Sequence, residues 1–512
     1  MKLEYVLQEN WPPLAWLARL KPGDDMVLVK HGPAVETRPE WFSECVWDGR
    51  YAEGGFDRTD IVAGTGGRMR GNVLYLVSSG STVDRIQSLE HNSAHWVSNS
   101  IVCLASALGA SFDPAYPYYL HDFISVIRGL GHYVKTLPSS LGPVSLVYFN
   151  NLCWDGDRLV EITKPEAVRD FASFENYTDF LKTSLERIAD NMGDHERGHR
   201  YTFQGTLSTG YDSTTVTALA KQFGLSEVLC FQYSDGRDRG SEIATSLGVR
   251  PAAIQVNDWR DMTFPELPFL SVNGFGEEVQ YAAARSRLQG RVLLTGYHGD
   301  KVWDRNTTYT SPDIVRGDIS GTALSEYRLW TQFIHCPVPF WGVRQIRDIV
   351  HISRDPALEP WDVGGDYTRP ICRRIVESEG VPREAFGITK SAASRWFVLE
   401  TKNMTLESER DYIGFLTEHR DDWWRRFRVP PSRNRSWDNA KLQALRSLSA
   451  MLIRIPGWYR LHLNRWPFLR GLSALGIPNP PYCPMVIGTR RYYFPWAVER
   501  CKKRYELTSV EE

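Results

Sequence analysis

From residue 201 onward the chain alternates short apolar segments with amphipathic ones, and this alternation constrains its fold more than any other feature. The short apolar runs predict strands, and the longer runs between them predict helices. Strand–helix–strand units form a parallel sheet, and ligands of such sheets bind beyond the carboxyl ends of the strands. The predicted strands are residues 201–207, 227–233, 252–256 and 291–295, and the predicted helices are residues 213–223, 241–247 and 277–288.

The loop after the first of these strands carries the most informative motif. Residues 208–213 read Ser-Thr-Gly-Tyr-Asp-Ser, between a strand and the start of a helix. Backbone N–H groups of small residues can converge on an anion, and the helix N-terminus behind them adds unpaired donors. Ser208 and Ser213 offer hydroxyl donors, and Gly210 permits positive φ and the close approach of a phosphate. The alternative is a helix N-cap with a first turn rich in Ser and Thr.

Two aspartates that follow neighbouring strands predict a metal site. Asp212 would repel a bare anion, but it would favour Mg²⁺, which bridges phosphate oxygens. The second segment, residues 293–300, reads Leu-Leu-Thr-Gly-Tyr-His-Gly-Asp, so a strand is followed by a glycine-rich loop that ends at Asp300. Asp212 and Asp300 are therefore predicted to hold Mg²⁺ across a nucleotide. A loop aspartate without a ligand is the alternative for Asp300.

Composition excludes several classes of protein. The chain has 60 Lys and Arg against 61 Asp and Glu, so no overall charge attracts it to nucleic acid or lipid. No stretch reaches the roughly 20 apolar residues of a membrane span. The eight cysteines are scattered without a CxxC pair. This pattern argues against a structural zinc site and a disulfide framework, and it predicts a cytoplasmic location.

Changes of pattern divide the chain into three predicted domains. Residues 1–165 read as short strands and then a helix, and residues 166–430 contain a polar linker, the alternating pattern and a mostly helical stretch from 320 to 410. Residues 431–512 form a basic extension, since residues 440–512 hold 12 Lys and Arg against 4 Asp and Glu, interleaved with aromatic residues. Three interpretations of this extension stay open: the aromatics pack in a core, the extension docks on an anionic surface or carrier, or it contacts RNA.

These motifs resemble those of the asparagine synthetase and β-lactam synthetase superfamily. Its first motif, Ser-Gly-Gly-x-Asp-Ser, is similar to residues 208–213, with Thr209 in place of one glycine. Residues 296–300, Gly-Tyr-His-Gly-Asp, look more like the Gly-Tyr-Gly-Ser-Asp of β-lactam synthetases than the Gly-Glu-Gly-Gly-Asp of asparagine synthetases. Further similar segments follow in the family's order, and the resemblance spans residues 166–400. They are residues 239–248, 337–341 (family Arg-Val-Pro-Phe-Leu), 367–374 (Lys-x-x-Leu-Arg) and 388–390 (Arg-Pro-Lys).

The resemblance implies a fold and a set of ligands. The fold would be α/β: a PP-loop synthetase domain built on a parallel sheet, preceded by a mostly β or α+β domain of the Ntn-hydrolase type. ATP and Mg²⁺ would bind at the two loops, and a substrate carboxylate would be adenylated before an amine attacks it. The residues implied to bind nucleotide are Ser208, Thr209, Gly210, Asp212, Ser213, Gly296 and Gly299, and those implied to hold Mg²⁺ are Asp212 and Asp300.

Three residues take the catalytic roles that the resemblance implies. Lys390 matches the family's catalytic lysine, with a solvated surface lysine as the alternative. Tyr297 matches the tyrosine with which β-lactam synthetases help to deprotonate the amine, and a packed core tyrosine is the alternative. His335 stands where those enzymes have a glutamate; it could act as the base itself, or it could be a structural histidine. This substitution leaves intramolecular and intermolecular amide formation both open.

The front part is more faintly similar to the glutaminase domain of these enzymes, which exposes a cysteine as its first residue after Met removal. Here the second residue is Lys2 and no cysteine precedes Cys45, so we expect no glutamine hydrolysis. The predicted function is an ATP-dependent ligase that forms amides from small-molecule or peptide carboxylates and amines. The alternatives are a PP-loop paralogue that binds nucleotide without catalysis and a PP-loop enzyme that modifies nucleic acid.

Overall fold

The computed structural model describes residues 1–114, 116, 118–233, 238–261, 266–272, 277–388, 405–419 and 492–506. Within these residues a β-rich N-terminal part precedes a parallel sheet flanked by helices, which confirms the mixed α/β class. The strands are β1 (Lys2–Leu7), β2 (Trp16–Leu20), β3 (Met26–His31), β4 (Glu36–Arg38), β5 (Trp41–Ser43), β6 (Val46–Trp47), β7 (Val62–Ala63), β8 (Gly66–Arg70), β9 (Val73–Val77), β10 (Ile86–His91), β11 (Ala94–Ser98), β12 (Thr136–Ser139), β13 (Gly142–Val147), β14 (Asn151–Trp154), β15 (Leu159–Ile162), β16 (Thr202–Thr206), β17 (Glu227–Gln232), β18 (Arg250–Gln255), β19 (Arg291–Thr295) and β20 (Phe333–Pro337). The α-helices are α1 (Ile101–Leu108), α2 (Tyr119–Ile124), α3 (Phe174–Gly193), α4 (Tyr211–Ala220), α5 (Gly240–Ser246), α6 (Glu266–Ser271), α7 (Arg285–Leu288), α8 (Gly299–Val302), α9 (Leu324–Thr331), α10 (Ile346–Ser353), α11 (Pro370–Ser378), α12 (Leu406–Glu418) and α13 (Tyr493–Lys502).

Two sheets stacked face to face form the N-terminal part. The first has the strand order β1-β3-β2-β11-β10-β13-β12, in which only the β1–β3 pair is parallel. The second, β15-β14-β9-β8-β5-β4, is antiparallel throughout. Strand β3 alternates buried and partly exposed positions, as a strand does when one face meets a core. Side chains from both sheets, including Trp16, Phe42 and Trp154, share the core between them.

A parallel sheet with the order β18-β17-β16-β19-β20 forms the second part. Four of its strands match the predicted ones to within two residues at each end. Strand β20 lies in the stretch 320–410 that was predicted to be mostly helical, and that prediction is wrong at this point. All five residues of β20 are buried, and a short buried run has no periodicity that separates strand from helix. The predicted helix 277–288 is likewise a 3-10 helix, Val279–Ala284, followed by α7.

The sequence of residues 166–200 reads as helical and then polar, as a linker would, and helix α3 occupies the helical part of it. Its apolar stripe, which includes Leu181, Leu185 and Ile188, is fully buried. The same core contains side chains of the parallel sheet and of the N-terminal part, among them Val46 and Ile61. The helix therefore packs between the two parts of the chain, and the short polar segment that follows it is the only connection to β16.

Buried charges join the two parts. Arg328 in α9 is 1% exposed and donates hydrogen bonds to both carboxylate oxygens of Glu44, at 2.6 and 3.0 Å, and to Asp84 at 2.9 Å. Nearby, Glu326 accepts a hydrogen bond from the hydroxyl of Ser100 at 2.7 Å. Each of these contacts links the segment 324–331 to the N-terminal sheets. The charges compensate one another, which makes their burial tolerable.

The described part of the predicted basic extension is a helix in a core. The ring of Phe494 in α13 lies 4.8 Å from those of Phe112 and Tyr119 and 5.0 Å from that of Phe123. For these residues the first interpretation, core packing, is confirmed, whereas residues 420–491 and 507–512 lie outside the described residues. None of the described helices combines the length and apolarity that a bilayer crossing requires.

The substitution Arg328→Leu is expected to lower the free energy of unfolding by about 3–5 kcal/mol, because it leaves Glu44 and Asp84 buried without a counter-charge. Chemical denaturation followed by circular dichroism measures this loss. The control Lys135→Ala removes an ion pair with Glu161 in which the lysine is 54% exposed, and it should cost at most about 1 kcal/mol. Equal losses in the two variants would contradict the role of the buried charges.

Candidate active site

The two predicted loops lie side by side at one edge of the parallel sheet. Strands β16 and β19 are parallel neighbours with Gly205 opposite Leu294, so the loops that follow them leave the sheet at the same end. Together they line a cleft of about 200 Å³. The residues that these loops contribute to its wall are Ser208, Gly210, Asp212, Ser213, Gly296, Tyr297, His298 and Asp300. Thr209 and Gly299 belong to the same loops without lining the cleft.

Internal hydrogen bonds shape the first loop. The hydroxyl oxygens of Ser208 and Ser213 are 2.9 Å apart, and the backbone N–H of Gly210 donates to the Ser208 hydroxyl at 3.2 Å. Helix α4 begins at Tyr211, and its N-cap residue, Gly210, provides no capping side chain. A helix N-terminus without a capping side chain presents N–H groups and a positive dipole end, which favour an anion.

Gly210 does not use the positive φ that glycine permits, since its φ is −76° and its ψ is 165°. Space explains the glycine instead: a Cβ atom would lie 3.3 Å from the Ser208 hydroxyl oxygen and 3.8 Å from that of Tyr367. The non-glycine residues with positive φ in the described part of the chain do not include Thr209. A β-branched residue is therefore tolerated at position 209.

Asp238 is a cleft residue that the sequence analysis did not single out. Its Oδ1 atom accepts hydrogen bonds from the backbone N–H groups of Thr209, at 3.2 Å, and Gly240, at 2.9 Å. Burial raises the pKa of Asp238 above its usual value, although these two N–H groups act in the opposite direction. The residue follows β17, so the rule that ligands bind beyond the carboxyl ends of parallel strands could have found it.

The glycines of the second loop let that loop pack directly on Asp212. A Cβ atom on Gly296 would lie 2.5 Å from the carbonyl carbon of Asp212, and one on Gly299 would lie 2.5 Å from its Oδ1 atom. Neither glycine is among those with positive φ. The absence of a side chain, rather than backbone freedom, is therefore what the fold requires at both positions.

Asp212 and Asp300 both line the cleft, and Arg369 forms an ion pair with Asp212. The guanidinium group of Arg369 is 2% exposed and donates a hydrogen bond to Asp212 Oδ1. In the described residues, no cluster of three or more His, Cys, Asp or Glu side chains is arranged to hold a metal ion by itself. Mg²⁺ at nucleotides is commonly held by one or two carboxylates together with phosphate oxygens and water. Asp212 and Asp300 therefore fit a Mg²⁺ ion that arrives with a nucleotide.

Tyr297 lines the cleft beside a second tyrosine. Its hydroxyl oxygen is 3.2 Å from that of Tyr281. Burial, reinforced by Tyr281 and Glu278, raises the pKa of Tyr297 well above its usual value. The hydroxyl group therefore stays protonated at neutral pH, where it can donate or accept a hydrogen bond. The catalytic role of Tyr297 stays a prediction.

His335 is fully buried in β20 and is not among the residues that line the cleft. Its Nε2 atom is 2.9 Å from the hydroxyl oxygen of Thr295, and its ring centroid is 5.6 Å from that of Tyr297. Burial lowers the pKa of His335 to about 3, so the imidazole is neutral. This environment is typical of the structural histidine that the sequence left open as the alternative, and the role of base stays a prediction.

Two further buried side chains line the cleft, and the sequence analysis assigned a role to neither of them. Glu278 is 1% exposed, and its Oε1 atom accepts a hydrogen bond from the backbone N–H of Gly321 at 2.6 Å. Burial raises the pKa of Glu278 to about 8. His298 is 4% exposed, has a φ of +76° and stacks on Phe340 at 4.8 Å. The sequence alone could not identify Glu278 as a site residue, because only the tertiary fold places the segment 277–284 beside the cleft.

Lys390 lies outside the described residues. The chain that leads toward it is held at the first loop, since the backbone N–H of Gly387 donates to the carbonyl of Thr209 at 2.8 Å. Gly387 has a φ of +66°, and a Cβ atom there would overlap the ring of Tyr211. The contact therefore requires glycine for both its conformation and its size.

Comparison with known proteins identifies no relative: no family model matches the chain, and no curated protein matches it.

The substitution Gly296→Ala is expected to lower the free energy of unfolding by about 1–3 kcal/mol, the usual cost of overpacking. The new methyl group would lie 2.5 Å from the backbone of Asp212, which cannot rotate away. Urea denaturation measures the change. In the control Gly193→Ala, at the end of α3, the methyl group would meet nothing within 4 Å, so stability should be unchanged or slightly higher. A Gly296→Ala variant as stable as this control would contradict the packing.

Ionisation of Glu278 should make the protein less stable as the pH rises. Folding raises the pKa of Glu278 from 4.5 to about 8, so this group stabilises the fold fully below pH 4.5 and loses that contribution toward pH 8. Glu278→Gln keeps the shape but cannot ionise. From pH 5 to pH 8 it should gain stability relative to the unmodified protein, by at most about 1.4 kcal/mol per pH unit. Thermal unfolding across this range tests the expectation, and a difference independent of pH would refute it.

Proposed function

We propose that the chain is an ATP-dependent, AMP-forming carbon–nitrogen ligase with its nucleotide site in the cleft. One observation carries this proposal: the uncapped N-terminus of α4 and two aspartates from separate loops meet in one cleft at the carboxyl edge of a parallel sheet. A helix end that attracts anions, beside carboxylates that attract Mg²⁺, suits the triphosphate of a nucleotide. The motif resemblance favours a ligase over other nucleotide enzymes.

The proposed chemistry follows from where charge develops. A substrate carboxylate attacks the α-phosphorus of ATP, and the bond to pyrophosphate breaks. The N–H groups at the start of α4 stabilise the departing pyrophosphate. Mg²⁺ held by Asp212 and Asp300 would neutralise phosphate charge. An amine then attacks the acyl carbon and AMP leaves, with Lys390 as the proposed cation near the α-phosphate. The hydrogen bond from Gly387 to Thr209 supports this role, because it holds the chain toward Lys390 at the same loop.

We propose further that residues 166–430 form a PP-loop domain and that residues 1–165 form a glutaminase-like scaffold of the Ntn type without its nucleophile. The two stacked sheets are compatible with such a scaffold. Cys45, the first cysteine of the chain, is fully buried, and burial raises the pKa of its thiol to about 12. A buried neutral thiol is a poor nucleophile, so Cys45 does not replace the missing one. A cytoplasmic location belongs to the same proposal.

Nucleotide binding without catalysis is the second candidate. Two contacts favour it: the carboxylate of Asp238 accepts the N–H of Thr209, and Arg369 pairs with Asp212. Each contact engages a group that the ligase mechanism assigns to the nucleotide or its metal ion. Under this candidate the cleft would bind ATP but would not transfer its adenylyl group.

We expect the protein to bind ATP with Mg²⁺ and to lose this affinity at least about tenfold in Asp212→Ala, which removes a metal ligand. Calorimetric titration measures the affinity, and a chelator should have a similar effect. The control Asp179→Ala removes an exposed carboxylate from α3 and should bind ATP normally. If Asp212→Ala binds ATP as tightly as the unmodified protein does, the nucleotide site does not lie in this cleft.

Incubation with ATP labelled at the α-phosphate, together with pools of carboxylates and amines, tests catalysis. The ligase proposal expects labelled AMP and equimolar pyrophosphate, because the carboxylate attacks the α-phosphorus. Asp212→Ala should abolish this product, and Asp179→Ala should not. Labelled ADP would overturn the proposal, and tight binding of ATP without AMP formation from any pool would favour the second candidate.

A further inference from the structure

The cleft wall extends beyond the two loops to a second group of side chains. These side chains come from the segment that begins at Glu277 and from the turn around residues 318–321, and they lie apart in sequence from the nucleotide motifs. The members that line the cleft are Glu278, Gln280, Tyr281, Asp318 and Ser320. None of them has a part in the adenylation chemistry proposed above.

Glu278 is the centre of this group. One of its carboxylate oxygens accepts the N–H of Gly321. The other, Oε2, is buried, and in the described part of the chain no N–H or hydroxyl group donates to it; its carboxyl neighbour is Glu277, which is also buried. A buried carboxylate oxygen without a donor is costly, and a ligand that brings a donor relieves this cost. Because Glu278 lines the cleft, that donor can come from a bound molecule.

His298 provides a second, separate sign of a missing ligand. Its side chain lines the same cleft, and neither ring nitrogen has a hydrogen-bond partner within the described residues. The residue also holds a left-handed backbone conformation, which costs energy for a side chain other than glycine. Strain and unpaired polar atoms at one cleft together indicate a binding site rather than a packing defect.

The charge of the cleft decides which ligand it favours. Among the described residues its wall contains five carboxylates and one guanidinium group, and that guanidinium, Arg369, is paired with Asp212. The carboxylates are Asp212, Asp238, Glu278, Asp300 and Asp318. The buried guanidinium of Arg316 lies 4.0 Å from Asp318 and offsets part of that charge. With Mg²⁺ at Asp212 and Asp300, the wall around Glu278 is negative once the pH exceeds the pKa of Glu278, about 8, or once a cation displaces its proton. Such a wall attracts a cationic group of a ligand and repels a carboxylate group of a ligand.

The neighbouring side chains suit an amino group. The hydroxyl oxygens of Tyr281 and Tyr297, 3.2 Å apart, can accept hydrogen bonds from N–H donors. The aromatic ring of Phe231, 5.0 Å from that of Tyr281, also lines the cleft. An ammonium group offers three donors and gains further from aromatic faces.

We infer that the Glu278 end of the cleft binds a positively charged amino group of the substrate, with Glu278 Oε2 as its main acceptor and Asp318 as a second, more exposed charge. The inference rests on the proposed ligase function, in which an amine enters this cleft. It predicts that a substrate of the proposed ligase carries an ammonium group. A dicarboxylic acid without such a group would meet a wall of like charge.

Saturation-transfer NMR at about pH 9, where Glu278 is ionised and the probe n-butylammonium still carries its charge, tests the inference without relying on turnover. The protein should bind n-butylammonium at least about tenfold more tightly than 1-butanol or butyrate, because only the cation makes a charge-assisted hydrogen bond to Glu278. Glu278→Gln should lose this preference. Asp318→Asn, at a side chain that is 44% exposed, should lose about two- to threefold and guards against misfolding of the first variant.

The control Glu186→Gln, at an exposed position of α3, should bind the probe as the unmodified protein does. Equal affinity in Glu278→Gln and this control, a preference for butyrate, or no measurable binding of n-butylammonium would each overturn the inference. Calorimetric titration of ATP with Mg²⁺ on the same samples separates the two proposals. Normal ATP binding without a preference for the cation would refute the amine site alone, and a preference for the cation without ATP binding would refute the nucleotide site alone.

Discussion

The contact between Asp212 and the glycines of the second loop is the constraint on which the candidate site depends. Parallel pairing of β16 with β19 brings the two loops to one edge of the sheet. Only the lack of side chains at Gly296 and Gly299 then lets the second loop rest on Asp212. Because Asp300 follows Gly299 directly, this contact couples the positions of the two carboxylates. The motif glycines thus position the two carboxylates of the proposed metal site through packing.

The N-terminal part contributes to the cleft through buried contacts. Its Val83 side chain would lie 3.0 Å from a Cβ atom on Gly321, the residue whose N–H binds Glu278, so the turn around Gly321 fits only without a side chain. Arg328 anchors the helix that follows this turn to Glu44. Breaking such buried ion pairs is costly, so the turn is held firmly against the N-terminal sheets. The N-terminal part therefore helps to shape the candidate cleft.

The sequence predicted those parts of the structure that are determined by neighbouring residues along the chain. The strands before both loops, the helix after Ser208 and the meeting of Asp212 with Asp300 at one cleft all follow from hydrophobic periodicity and from the rule for parallel sheets. Features set by tertiary packing escaped prediction. The burial of His335 in β20 depends on which segment covers the sheet edge, and the position of Glu278 depends on the turn at Gly321. The sequence left the backbone conformation of Gly210 open, because glycine permits both signs of φ.

Arg369 lines the cleft, and its ion pair with Asp212 affects how the cleft would receive a charged ligand. In the described structure its guanidinium pairs with Asp212, and the same wall contains the carboxyl groups of Asp238, Glu278, Asp300 and Asp318. A triphosphate that entered alone would meet repulsion from ionised carboxylates, so cations would have to accompany it. Mg²⁺ near Asp212 would weaken the ion pair between Asp212 and Arg369, and a free guanidinium is well suited to pair with phosphate oxygens. Under the proposed function, the ion pair would therefore keep a phosphate-binding group beside the candidate metal site until metal and nucleotide arrive together.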